Sequence, residues 1–118
     1  MTVQEMYEAL GSDYNALKTR LASEKLIKKL LAKYPNDKNY GMLEEGMAEK
    51  DFDKCFTAAH TIKGVASNLG FDRLFTVSAK LSDSLKVKNY EGVEEMFADV
   101  KEAQEEVLKY IAETDLAL

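Results

Sequence analysis

The chain has 118 residues, 46% of them apolar and 31% charged, with a formal net charge of −5. That length holds one domain with one core, and the balance is that of a globular protein rather than a disordered one. The acidic balance argues against a nucleic-acid groove binder, which shows a clustered basic face, and no run reaches the ~20 apolar residues of a membrane span.

The pattern is helical nearly throughout, with no alternating strand pattern. The opening MTVQEMYEALGSD is acidic and polar and has no apolar signal core, so the cytoplasm is the expected compartment. A short amphipathic helix is predicted from Val3 to Leu10, stopped by Gly11. A second helical piece covers Tyr14 to Leu21, with Leu17 and Leu21 on one face. Ser23 then reads as an N-cap, and Leu26, Ile27, Leu30 and Leu31 follow at helical spacing. Pro35 ends that helix, because proline resists continuing it and biases the residue before it to extended geometry.

Asn36 or Asp37 can cap the next helix, whose apolar face uses Tyr40, Leu43 and Met47 and which ends near Lys50. Gly41 and Gly46 weaken it by about 1 kcal/mol each relative to alanine. A further helix runs from Phe52 to Asn68 and is broken by Gly70. The next runs from Phe71 to Lys88, with Leu74, Val77, Leu81 and Leu85 aligned. Asn89 is the expected cap of the last helix, which places Val93, Phe97, Val100, Val107 and Ile111 at spacings of three, four and seven. Four helices of roughly 14–24 residues with short connections predict an all-α fold, an antiparallel up-down four-helix bundle. The shorter N-terminal helices are expected to cap one end. There is no internal repeat or low-complexity linker, so residues 1–118 read as one domain. The start at Met1 with no linker leads us to expect a freestanding protein rather than part of a larger kinase.

The only histidine, His60, lies in the stretch AAHTIKGVASNLG. On a wheel of ~100° per residue, with Ile62 as reference, Cys55, Ala58, Ala59, Val65, Ala66 and Leu69 all fall within roughly 60°. His60 falls roughly 160° away, on the face shared by Asp53, Thr57, Lys63, Gly64 and Ser67. A lone histidine is usually a satisfied core residue, and this geometry argues against that. Gly64, at i+4, leaves space beside the ring at a cost of about 0.5–1 kcal/mol in a helix interior. Lys63, at i+3, brings an ammonium near whatever the ring carries. An accessible nitrogen, a clearing and a positive charge suit a transferable anion, and phosphoryl fits best. Phe56 lies at the edge of the polar face, where a large aromatic either marks a partner site or tucks under the neighbouring helix.

The pattern H-x-x-K-G-x-x-x-x-x-G, formed by His60, Lys63, Gly64 and Gly70, resembles the signature of the histidine phosphotransfer (HPt) domains of phosphorelays. Given the one histidine, chance placement of the lysine and both glycines is roughly one in a few thousand at average residue usage. The resemblance extends to DYNALKTRLASEKL, to EKDFDKC before the motif and to the last helix, covering roughly Ser12 to Glu113. It implies an up-down four-helix bundle with the histidine exposed midway along one helix. It further implies that His60 accepts a phosphoryl group, through its outer ring nitrogen, from the aspartyl phosphate of a receiver domain and passes it to another receiver. Lys63 would offset charge on the phosphorylated ring, Gly64 would keep the approach open, and Gly70 would turn the chain into the next helix. Members often carry a glutamine on the following helix that supports the imidazole; the corresponding residue here is Ser82, which is shorter and needs a water to reach the ring.

The candidate partner contacts are Phe56, Thr57, Ser67 and Ser82. Response-regulator receiver domains are the implied partners, with a hybrid sensor histidine kinase among them, and a monomer is expected. No cofactor of the chain's own is expected: one Cys and one His do not make the four-ligand set of a structural zinc site, and the resemblance places Mg²⁺ on the partner receiver. An imidazole with an ordinary pKa of ~6.5 is largely neutral at pH 7, so its lone pair needs no neighbouring base. Asp53, about two turns away, reads as a solvated charge. Cys55 reads as inert packing, Met42, Met47 and Met96 as core or gap-filling residues, and the carboxylates of Glu44–Glu49 and Glu102–Glu106 as solvated faces. Three other readings stand beside this one. The chain could be a helical docking module that transfers nothing, a histidine kinase fragment, or a structural dimer. The kinase reading lacks a Gly-rich phosphate loop following a strand.

Overall fold

The computed structural model describes residues 1–118 and contains seven α-helices, one 3₁₀ turn and no strand. The helices are α1 (Val3–Ala9), α2 (Tyr14–Leu21), α3 (Glu24–Lys33), α4 (Asn39–Glu49), α5 (Phe52–Leu69), α6 (Asp72–Lys86) and α7 (Val93–Ala112). Local chemistry sets most boundaries. Thr2 and Glu5 form a capping box on α1, and Asp13, Ser23 and Asp51 accept backbone N–H bonds as the N-caps of α2, α3 and α5. Pro35 sits in the 3₁₀ turn Tyr34–Asn36 that finishes α3. Gly70 closes α5 in the left-handed region, at φ +71°.

Helices α4 to α7 form the antiparallel bundle. Tyr40 on α4 stacks on Phe97 of α7. Further up the bundle, the Tyr34 hydroxyl donates to Gln104 Oε1. Lys50, just past the other end of α4, shares a cleft with Val93 at the start of α7. One index rises as the other falls, so α4 and α7 run in opposite directions. Arg73, near the start of α6, pairs with Glu102 and Glu106 towards the end of α7, which makes that pair antiparallel too. The core runs through the bundle as one cluster that includes Leu43, Ile62, Leu74, Leu81, Val100 and Val107.

The N-terminal helices cap the end of the bundle where α5 turns into α6. The Tyr7 hydroxyl donates to the Leu69 carbonyl at 2.7 Å. Arg20 Nη2 donates to the carbonyls of Ser67 and Asn68 at 3.0 and 2.9 Å. These are among the last carbonyls of α5, which have no partner within the helix. A guanidinium there also meets the negative end of the helix dipole.

Three details depart from the sequence reading. Asn89 does not cap α7: its side chain accepts from the Glu91 N–H in a turn, and Gly92 is the N-cap, in the left-handed region. α4 has 11 residues, short of the expected length, because the chain is still in the 3₁₀ turn at Asn36 and extended at Asp37, and Lys50 already turns left-handed. Asp37 still serves its start, accepting the Asn39 N–H from one residue outside the cap. Met42 is exposed rather than a core or gap-filling residue.

Gly46 has a packing role that the sequence pattern hides. A Cβ there would lie 2.9 Å from Cys55 Sγ, 3.2 Å from Cys55 N and 3.3 Å from the Asp51 carbonyl. Two of those atoms are backbone, so α4 and α5 would have to separate. Overpacking of this kind costs about 1–3 kcal/mol. Gly46→Ala is therefore expected to lower the urea midpoint with the slope unchanged, despite alanine's better helix propensity.

Candidate functional site

α5 is an amphipathic helix whose buried face comprises Cys55, Ala58, Ala59, Ile62, Ala66 and Leu69. Small residues dominate that face, and they let α4 and α6 approach closely. The opposite face is left to solvent. His60 stands on it, exposed, near the middle of an 18-residue helix.

The surroundings of His60 follow from the 3.6-residue period. One turn before it, the Phe56 ring stacks on the imidazole, with centroids 5.7 Å apart and planes inclined by 23°. One turn after it stands Gly64, where an added Cβ would meet nothing within 4 Å. The fold therefore does not need a glycine there. This contrasts with Gly46 on the preceding helix, α4. Lys63 is half-buried, and the ion pairs of the protein engage Lys54 and Arg73 rather than its ammonium.

Thr57 and Ser67 are exposed on the same helix, as expected. The Thr57 hydroxyl donates to the Asp53 carbonyl one turn back, and Thr61 does the same towards Thr57. Among the side-chain bonds of α5, none reaches the imidazole. Phe56 is half-buried and packs against the core while its ring covers His60.

Ser82 is a correction. It is only 2% exposed and belongs to the buried face of α6 with Leu74, Ser78, Leu81 and Leu85. A side chain in that position is not available to a docking partner. The reason lies in the spacing: Ser82 follows Ser78 by one turn and adjoins Leu81, so it turns inward with them. The Ser78 hydroxyl is buried without a hydrogen-bond partner.

Cys55 is fully buried, and burial pushes its thiol above the ordinary cysteine range. A thiol held protonated in the core is a poor nucleophile. The carboxylates flanking the site read as solvated, with Lys54 bridging Glu45 and Glu49 at 3.0 and 3.3 Å. Exposed pairs of this kind contribute about 0–1 kcal/mol. No group of three or more His, Cys, Asp or Glu side chains is arranged to hold a metal ion, and no helix is long and apolar enough to cross a membrane.

The one nucleophilic ring thus sits on a rigid helix, open to solvent on the side of Gly64. The helical period places His60 and Gly64 on the outer face of α5, where the structure also has them, with Lys63 half-buried beside them; the contact between Phe56 and the imidazole, which the same i, i+4 rule carries, went unread. No curated protein and no solved structure matches the chain. The model of the Hpt domain family matches residues 2–113, nearly the whole chain, and the chain belongs to that family of phosphorelay histidine phosphotransfer domains.

Proposed function

We propose that His60 is the phospho-acceptor, taking a phosphoryl group from the aspartyl phosphate of a receiver domain and relaying it to the aspartate of another. The observation that carries this reading is the exposed imidazole with open space at Gly64, one turn away.

The step needs little from this chain. The lone pair of the outer ring nitrogen attacks phosphorus in line with the acyl phosphate oxygen. A P–N bond forms, the P–O bond breaks, and its electron pair returns to the receiver's carboxylate. The other ring nitrogen carries the proton and releases it to water as the phosphoimidazole neutralises. Such transfer depends on alignment and charge stabilisation rather than on covalent help. Mg²⁺ belongs to the receiver in this scheme. The chain is a carrier and has no kinase activity of its own.

The direct test is incubation with a phosphorylated receiver domain. The expected product is acid-labile, base-stable label on this protein, with no label from ATP alone. Lys63 supplies charge stabilisation in this reading. Its ammonium, one turn from the ring and free of ion pairs, faces a phosphoryl group in a largely aqueous setting. Lys63→Ala is expected to slow transfer about three- to tenfold, the scale of a partly screened charge contact. An unchanged rate would remove Lys63 from the site.

A docking module that transfers nothing is the second reading, favoured by Ser82 in place of the supporting glutamine. Receiver binding without label would establish it.

A further inference from the structure

We infer that Phe56 is the positioning residue of the His60 imidazole, holding the ring for phosphoryl transfer by stacking on it from one turn back along α5. This rests on the reading of His60 as the phospho-acceptor. The inference starts from what else could hold the ring. The Thr57 and Thr61 hydroxyls of α5 donate to carbonyls of their own helix, and no side chain of the protein hydrogen-bonds the imidazole. Ser82 on α6 is buried in that helix's inner face and offers the ring no bond. An exposed imidazole without a hydrogen-bond partner would populate several rotamers, and in-line transfer uses only those that aim the outer nitrogen outward.

Phe56 supplies the missing restraint. It is anchored, because it is half-buried and packs against the core. Its ring stacks on the imidazole with centroids 5.7 Å apart and planes inclined by 23°. The imidazole therefore has an aromatic wall on the Phe56 side and open space on the Gly64 side. A stacked aromatic pair shifts a conformational equilibrium by about two- to tenfold. The transfer rate should depend on Phe56 by the same factor. A docking contact would behave differently, weakening receiver affinity and sparing the rate once the receiver saturates.

The test compares wild type with Phe56→Leu, which keeps the apolar bulk and good helix propensity, and Phe56→Tyr, which keeps the ring. Two quantities are read: the NMR shifts of the His60 ring protons, and the single-turnover transfer rate against receiver concentration. In Phe56→Leu the ring-current displacement of the His60 protons should vanish. The saturating rate should fall about two- to tenfold at an unchanged half-saturating concentration, and Phe56→Tyr should restore both. Unchanged His60 shifts in Phe56→Leu overturn the inference, whatever the rates. So does a raised half-saturation at an unchanged saturating rate, which would make Phe56 a docking residue. A wild type that takes no label from any receiver, while its His60 shifts still respond to Phe56→Leu, overturns the acceptor reading and with it the catalytic use of the stack. The shifts alone then establish the contact.

Discussion

His60→Gln is expected to take up no label from a phosphorylated receiver while melting within about 0.5 kcal/mol of wild type, the range of ordinary surface substitutions. The two halves of that result have separate causes. Glutamine's amide has no basic lone pair, so no P–N bond forms, and the chain offers no second histidine. The fold is indifferent because His60 is exposed, bonded to no protein group, and flanked by the buried stripe rather than part of it. Glutamine is also the better helix former. What the variant loses is the Phe56 stack, which is worth about 0.5–1.5 kcal/mol at most and is partly replaced by contact with the glutamine methylenes. The check is a thermal melt run beside the labelling experiment. Label retained in the variant would place the acceptor elsewhere, and a collapsed melt would mean that His60 serves the fold.

How much of this was legible beforehand depends on the range of the interaction. Ser23 and Gly70 act within one turn of their own position, so their roles are visible in the sequence and reappear in the structure; Pro35 also marks the end of α3, but inside a 3₁₀ turn with Tyr34 still in the right-handed helical region rather than extended. The buried face of α5 was equally legible, since it needs only the helical period. Asn89 failed because two residue types suited to a boundary stand close together; Asn89 took the turn and Gly92 the cap. Met42 failed because an apolar side chain at a helical position signals burial only if a neighbour covers it, and α4 is open there. Gly46 is the clearest case of hidden information. Its sequence signal is a helix-weakening glycine, while its role is set by Cys55, nine positions away on another helix. Ser82 was placed by counting from the motif, which locates a residue along α6 without saying which way it turns. The fold was thus readable where one local signal stands alone, and unreadable where two boundary signals compete, as at Asn89 and Gly92, or where two helices meet.

Gly46 and Gly64 carry the same sequence signal and should respond oppositely to the same substitution. At Gly64 an added Cβ meets nothing within 4 Å, and the backbone is ordinary helix. Gly64→Ala should therefore stabilise the protein by about 0.5–1 kcal/mol, through the smaller entropy loss of alanine on folding. A rise of a few degrees in Tm follows for a domain of this size, on the order of 2–6 °C. Transfer should move the other way, slightly in Gly64→Ala and strongly in Gly64→Gln. The longer side chain occupies the clearing beside the imidazole, and displacing the approaching phosphoryl group by about 1 Å costs on the order of a hundredfold in rate. The paired readouts are a melt and a single-turnover transfer assay on both variants. A glycine retained for the fold would lose stability on substitution, as Gly46 should. A glycine with neither role would gain stability and keep its rate. Only a glycine kept open for an incoming partner gains stability and loses transfer together, because the space it protects belongs to the complex and not to the chain alone.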